Sequence, residues 1–181
     1  MATPGAESSH LPSITLVLGG ARSGKSRYAE RLIEAAASVG TYCATAQAGD
    51  AEMAERIAVH RSRRGPFWRT VEAQLALAEA IAAERVPERP ILVDCLTLWL
   101  SNLLFAGRSI EVETGCLSAA LRAACGPVVL VSNEVGMGLV PETPLGRRFR
   151  DEAGRLNQEV AALADRVVFV AAGLPLVLKE G

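Results

Sequence analysis

Ile14-Thr15-Leu16-Val17-Leu18-Gly19-Gly20-Ala21-Arg22-Ser23-Gly24-Lys25-Ser26 is the stretch that decides the fold. It opens with β-branched residues and leucine and stops at two glycines. Ser26 to Ala37 then carries Tyr28, Leu32, Ile33 and Ala36 at helical spacing, so the order is strand, tight loop, helix. Between strand and helix, Gly19-x-x-x-x-Gly24-Lys25-Ser26 matches the phosphate-loop pattern. Glycines let successive backbone N–H groups curl inward around an anion, and the helix N-terminus adds its dipole. Gly19, Gly20, Ala21, Arg22, Ser23 and Gly24 are therefore expected to cradle the phosphates of ATP or GTP. Lys25 is expected to reach the β and γ phosphates, and the Ser26 hydroxyl to ligate Mg²⁺.

Downstream the alternation continues. Thr41 to Thr45 reads as a strand, Glu52 to Arg63 as a charged helix, Trp68 to Val71 as a short extended piece and Ala73 to Ala83 as a helix. Ile91 to Asp94 is a buried strand, Leu96 to Phe105 and Glu113 to Ala124 are helices, and Val128 to Ser132 is again a strand. Leu145 to Ala164 is the longest helical pattern, followed by strands Val167 to Ala171 and Leu174 to Leu178 around a turn at Gly173. Continuously apolar strands alternating with helices imply an α/β fold: a P-loop, RecA-like, mostly parallel sheet with helices on both faces. Ligands in such sheets bind beyond the carboxyl ends of the strands.

At 181 residues, half of them apolar, the chain is expected to form a single domain over residues 14–181, preceded by a loose tail over residues 1–13. A formal net charge of -1 gives no support to a nucleic-acid partner. The apolar runs are too short for a membrane span and the opening residues lack a signal-peptide pattern, so the expected location is cytoplasmic. Cys43, Cys95, Cys116 and Cys125 are widely spaced, with only two histidines beside them, and read as structural thiols.

A P-loop site also needs an acid at the end of a buried strand. Asp94, closing Ile91-Leu92-Val93, suits that role beside Mg²⁺; the alternative is a helix cap before Leu96. His60 is followed by Arg61, Ser62, Arg63 and Arg64. A neutral imidazole can attack phosphorus, and the arginines can neutralise a triphosphate, although a histidine on a charged helix is also an ordinary surface residue.

Four segments together narrow the function. Gly19 to Arg27, Arg56-Ile57-Ala58-Val59-His60-Arg61, Asn133-Glu134-Val135-Gly136-Met137-Gly138-Leu139-Val140-Pro141 and Arg147 to Gln158 occur in the order found in bifunctional adenosylcobinamide kinase/adenosylcobinamide-phosphate guanylyltransferases. The chain resembles that family from about Ile14 to Lys179. The resemblance implies phosphorylation of the aminopropanol hydroxyl of adenosylcobinamide with ATP or GTP. It then implies transfer of GMP from GTP to adenosylcobinamide phosphate through a GMP-histidine intermediate, and a homotrimer. The histidine at the matching place is His60; Val59 stands where some members carry a second histidine, and Asp94 where some carry Glu.

By position, the remaining nucleotide contacts implied are Ala44, Thr45, Ala46, Arg61 to Arg64, Glu72 and Asp94. Glu72 suits the guanine N1–H and exocyclic amine, or equally a helix-start charge. Glu134 suits metal or substrate, with no single role. Arg147, Arg148, Arg150 and Arg155 suit substrate phosphate, a neighbouring subunit, or simple surface pairs with Glu142, Asp151 and Glu152. The rivals are a monofunctional P-loop kinase of another small metabolite and a RecA-like ATPase module.

Overall fold

The computed structural model describes residues 11–47, Glu55, Ala58 and 65–181. Its elements are β1 (Ile14–Gly19), α1 (Lys25–Ala36), β2 (Gly40–Ala44), β3 (Trp68–Glu72), α2 (Leu77–Ala83) and β4 (Ile91–Asp94). They continue as α3 (Leu96–Phe105), α4 (Ile110–Arg122), β5 (Val128–Asn133), α5 (Pro144–Leu163), β6 (Arg166–Ala171) and β7 (Leu174–Glu180). The strands form one seven-stranded sheet in the order β3-β2-β4-β5-β1-β6-β7. All neighbours are parallel except β6 and β7. Ala172 and Gly173 both take positive φ, 52° and 79°, and make the tight turn that returns β7 antiparallel along the edge.

The continuous apolar strands bury both of their faces. Ala29 and Ile33 of α1 pack on one side against Val17, Leu92, Val129 and Val168. On the other, Leu77, Trp99, Leu117 and Leu156, one from each of α2 to α5, pack against Leu16, Val93 and Leu130. Each buried valine, leucine or isoleucine among them contributes about 1.5–3 kcal/mol of burial free energy. The α/β arrangement with helices on both faces therefore stands as expected from the sequence.

Four helix starts differ from the sequence expectation, the first being α1, which begins at Lys25 and not Ser26. α2 begins at Leu77, not Ala73, because the Ala73 N–H donates to the Ala44 carbonyl at 2.8 Å and prolongs the β2–β3 ladder. α4 begins at Ile110, where the Ser109 hydroxyl accepts from the Val112 N–H. α5 begins at Pro144, with Thr143 capping the Gly146 N–H and proline in the first turn, where its missing donor costs nothing. Of the expected charged helix at Glu52 to Arg63, Glu55 and Ala58 are helical; its other residues, His60 included, lie outside the described ones.

The thiols divide by environment. Cys43 and Cys95 are buried, and desolvation pushes their pKa values up to about 12 and about 11, whereas Cys116 and Cys125 are exposed. A thiol-specific disulfide reagent at pH 8 is expected to titrate two cysteines rapidly in the native protein and all four in denaturant. Because the buried pair stays protonated above the ordinary value of 9.0, it stabilises the fold fully below that pH and loses this contribution between about 9 and about 12.

Candidate active site

The site lies where the carboxyl ends of β1, β4 and β5 meet the start of α1. Gly19 ends β1 in close quarters: a Cβ there would stand 2.5 Å from the Val170 carbonyl oxygen and 2.6 Å from Ser23 Oγ. Gly24 has φ 95°, and a Cβ on it would press to 3.2 Å from Gly173 Cα, so both strain and space demand glycine. Arg22 also adopts positive φ, 55°, uncommon outside glycine. The Gly173 N–H donates to the Ser23 carbonyl at 2.8 Å, tying the loop to the β6–β7 turn. A compact backbone cradle opens α1 as a result.

Lys25 is the first residue of α1 and only 9% exposed. Its Nζ donates to the Gly20 carbonyl at 3.1 Å, folding the ammonium back across the loop. Burial lowers its pKa from the ordinary 10.5, and Cys95 and Asp94 push the other way. A desolvated ammonium over a nest of amide donors gains most when a polyphosphate replaces its lost water.

Asp94 ends β4, two places from β1 with β5 between them. Ser26 Oγ donates to Asp94 Oδ1 at 3.2 Å, and the Tyr42 hydroxyl donates to Oδ2 at 2.6 Å. The carboxylate thus faces the P-loop serine and does not cap α3, whose N-cap is Cys95. Two hard oxygens side by side fit Mg²⁺, which binds through one or two protein groups plus substrate phosphates. No cluster of three or more carboxylate, histidine or cysteine ligands exists among the described residues.

The remaining expected residues are placed as follows. Ala44 and Thr45 are buried, and Ala46 is half-exposed where the stretch reaches solvent. The Thr45 hydroxyl is engaged within the chain, accepting from the Cys95 N–H at 2.7 Å and donating to the Cys95 carbonyl at 2.8 Å. Glu72 ends β3, exposed, and accepts from Gln74 at 3.0 Å. It lies several residues before α2, which removes the helix-start alternative. Glu134 is held against the loop, its N–H donating to the Gly19 carbonyl at 3.1 Å and its carboxylate accepting from Gly136. Arg150 and Arg155 pair with Asp151 and Glu152, and Arg147 donates to the Pro141 and Glu142 carbonyls. Arg148 lines a charged hollow between α4 and α5, away from the P-loop. His60, Arg61, Ser62, Arg63 and Arg64 lie outside the described residues.

Sequence reasoning did not single out the residues that hold this edge in place. Asn102 donates to the carbonyls of Thr45 and Gln74, at 2.8 and 3.0 Å. Thr97 Oγ1 accepts from the Asn133 N–H at 2.7 Å, while Asn157 Nδ2 donates to the Asn133 carbonyl at 3.2 Å. These bonds join residues 24 to 57 positions apart, so no local pattern announces them.

A glycine loop between a central parallel strand and a helix, with a strand-end carboxylate meeting its serine, defines a P-loop nucleotide-binding enzyme. The chain belongs to the cobinamide kinase / cobinamide phosphate guanyltransferase family, whose model matches residues 15–178. It is 52% identical over 166 residues to the bifunctional adenosylcobalamin biosynthesis protein CobP of Pseudomonas aeruginosa, covering 91% of this chain and 96% of that one. To the bifunctional adenosylcobalamin biosynthesis protein CobU of Salmonella typhimurium it is 46% identical over 179 residues, covering 91% and 98%. Among solved structures it is similar to the flagellar accessory protein FlaH of Methanocaldococcus jannaschii (TM-score 0.54, 13% identity, covering 94% of this chain and 80% of that one). It is also similar to the ATPase domain of G40P (TM-score 0.51, 13% identity, covering 87% and 69%). These two likenesses show the RecA-like fold. The family match carries the activity: a bifunctional kinase and guanylyltransferase of adenosylcobalamin biosynthesis, with cobinamide substrates and nucleotides. No described helix is long and apolar enough to cross a membrane.

Proposed function

We propose that one nucleotide region serves both activities, with the P-loop acting in the kinase step and His60 in the guanylyl step. In the first, the amides of residues 19–24 and the Lys25 ammonium hold the triphosphate of ATP or GTP for in-line transfer of its γ-phosphoryl group to the aminopropanol hydroxyl of adenosylcobinamide. Ser26 and Asp94 would hold Mg²⁺, which supplies charge neutralisation on the transferring phosphates when bound. Positioning and charge account for most of this step. The observation that carries it is the Ser26–Asp94 contact at 3.2 Å beside the buried Lys25.

In the guanylyl step, His60 attacks the α-phosphorus of GTP, pyrophosphate leaves, and GMP passes to adenosylcobinamide phosphate. Splitting the displacement in two makes one nitrogen the nucleophile of the first half and the leaving group of the second, where the substrate phosphate oxygen attacks. Arg61, Ser62, Arg63 and Arg64 follow His60 and suit the departing pyrophosphate. Glu72, exposed at the end of β3, is the acceptor we assign to guanine, with Ala44, Thr45 and Ala46 beside it at the end of β2. Glu134 is poised near the loop for substrate or metal. The working form we assign is a cytoplasmic homotrimer.

Incubation with adenosylcobinamide, Mg²⁺ and GTP, resolved in time by chromatography, tests the order. Adenosylcobinamide phosphate should rise and fall before adenosylcobinamide-GDP accumulates, and ATP alone should stop the sequence at the phosphate. Appearance of the GDP product with ATP as sole nucleotide would contradict the guanine requirement.

A further inference from the structure

We propose that Tyr42 is a positioning residue for the reaction: its buried phenol aims the Asp94 carboxylate at Ser26 and thereby sets how tightly the nucleotide-bound site holds its divalent cation. The inference rests on the reading of Asp94 as the acid beside the metal. Tyr42 lies in mid-β2 and is 1% exposed. Its register partner on β4 is Leu92, and Asp94 follows two residues on, so the phenol and the carboxylate emerge on the same sheet face, the one that α1 covers. The hydroxyl donates to Asp94 Oδ2 at 2.6 Å, the short length expected of a donor to an anion.

A carboxylate rotates readily about its terminal bond. With Oδ2 anchored by a phenol, that rotation is fixed and Oδ1 is left facing Ser26 Oγ at 3.2 Å. The phenol is itself immobilised. Trp68 packs edge-on against its ring, with centroids 5.7 Å apart and planes at 88°, and Trp68 Nε1 donates to Glu34 of α1 at 3.1 Å. The helix that carries Ser26 and the strand that carries the anchor are therefore braced against each other. Phenylalanine would fill the same space and leave the carboxylate free to turn.

Binding of Mn²⁺, followed by electron paramagnetic resonance, reads this directly in protein saturated with α,β-methylene GTP and free of corrinoid. Tyr42→Phe is expected to raise the Mn²⁺ dissociation constant by about 10-fold or more, within the roughly 10–100-fold usual when a group orienting a metal ligand is removed. Affinity for the nucleotide without metal should be unchanged. Added to Asp94→Asn, Tyr42→Phe should cause no further loss, because its effect passes through that carboxylate. Trp68→Phe, which loosens the same packing but keeps the phenol, should weaken binding less than Tyr42→Phe does.

If Asp94→Asn binds Mn²⁺ as well as the native protein, the reading of Asp94 fails. If Asp94→Asn weakens binding and Tyr42→Phe does not, the role of Tyr42 is overturned while that reading survives. A loss in Trp68→Phe equal to that in Tyr42→Phe would assign the effect to packing and overturn the positioning role as well.

Discussion

Lys25→Ala is expected to lower kcat/KM for phosphorylation of adenosylcobinamide by about 10²–10³-fold, the loss typical when one preorganised charge-stabilising donor is removed. The side chain is almost fully buried at the first residue of α1, and its Nζ lies 3.1 Å from the Gly20 carbonyl, over the loop we assign to the phosphates. The fold should not suffer. Burial depresses the Lys25 pKa below 10.5, so the charged form is a cost to the folded state that is full below the depressed value and fades as pH rises toward the ordinary one. Replacement by alanine removes that cost, and the melting temperature without nucleotide is expected to hold or rise. The stabilisation that nucleotide confers on the native protein should largely vanish. Steady-state kinetics and melting curves with and without nucleotide check both halves. A large drop in nucleotide-free stability would show that the lysine supports the fold instead of the substrate.

The second large effect falls on the other activity. His60→Ala should abolish GMP transfer to adenosylcobinamide phosphate, by at least about 10³-fold, since removing a covalent nucleophile leaves only binding and charge stabilisation. Phosphorylation should persist, because the groups assigned to it are the loop amides, Lys25, Ser26 and Asp94. Product analysis should therefore find adenosylcobinamide phosphate accumulating without conversion. If both activities fell together, the division of labour between loop and histidine would be wrong.

The P-loop was legible because its signal is local: glycine chemistry, a lysine and a serine lie within a few residues, bracketed by strand and helix periodicity. Asp94 was legible for the same reason, as an acid at the end of an apolar run, although only the folded chain shows it meeting Ser26 and not capping α3. The late start of α2 was not legible. Ala73 continues the ladder of β2 through a bond to Ala44, a tertiary fact that overrides helical spacing. Tyr42, Thr97, Asn102 and Asn157 read in sequence as ordinary core or helix-face residues; their meaning comes from partners 24 to 57 positions away. The guanylyl half was legible through resemblance, since a histidine beside arginines does not by its spacing distinguish a nucleophile from a solvated helix face.

The most direct test is to incubate the native protein and His60→Ala with Mg²⁺ and GTP labelled at the α-phosphorus, then separate them by denaturing electrophoresis with acid or alkali treatment. Label that is acid-labile and alkali-stable on the native protein, and absent from His60→Ala, is the expected result and identifies a phosphoramidate at that residue. Equal labelling of both proteins, or none on either while GMP transfer proceeds, would contradict covalent guanylyl transfer through His60.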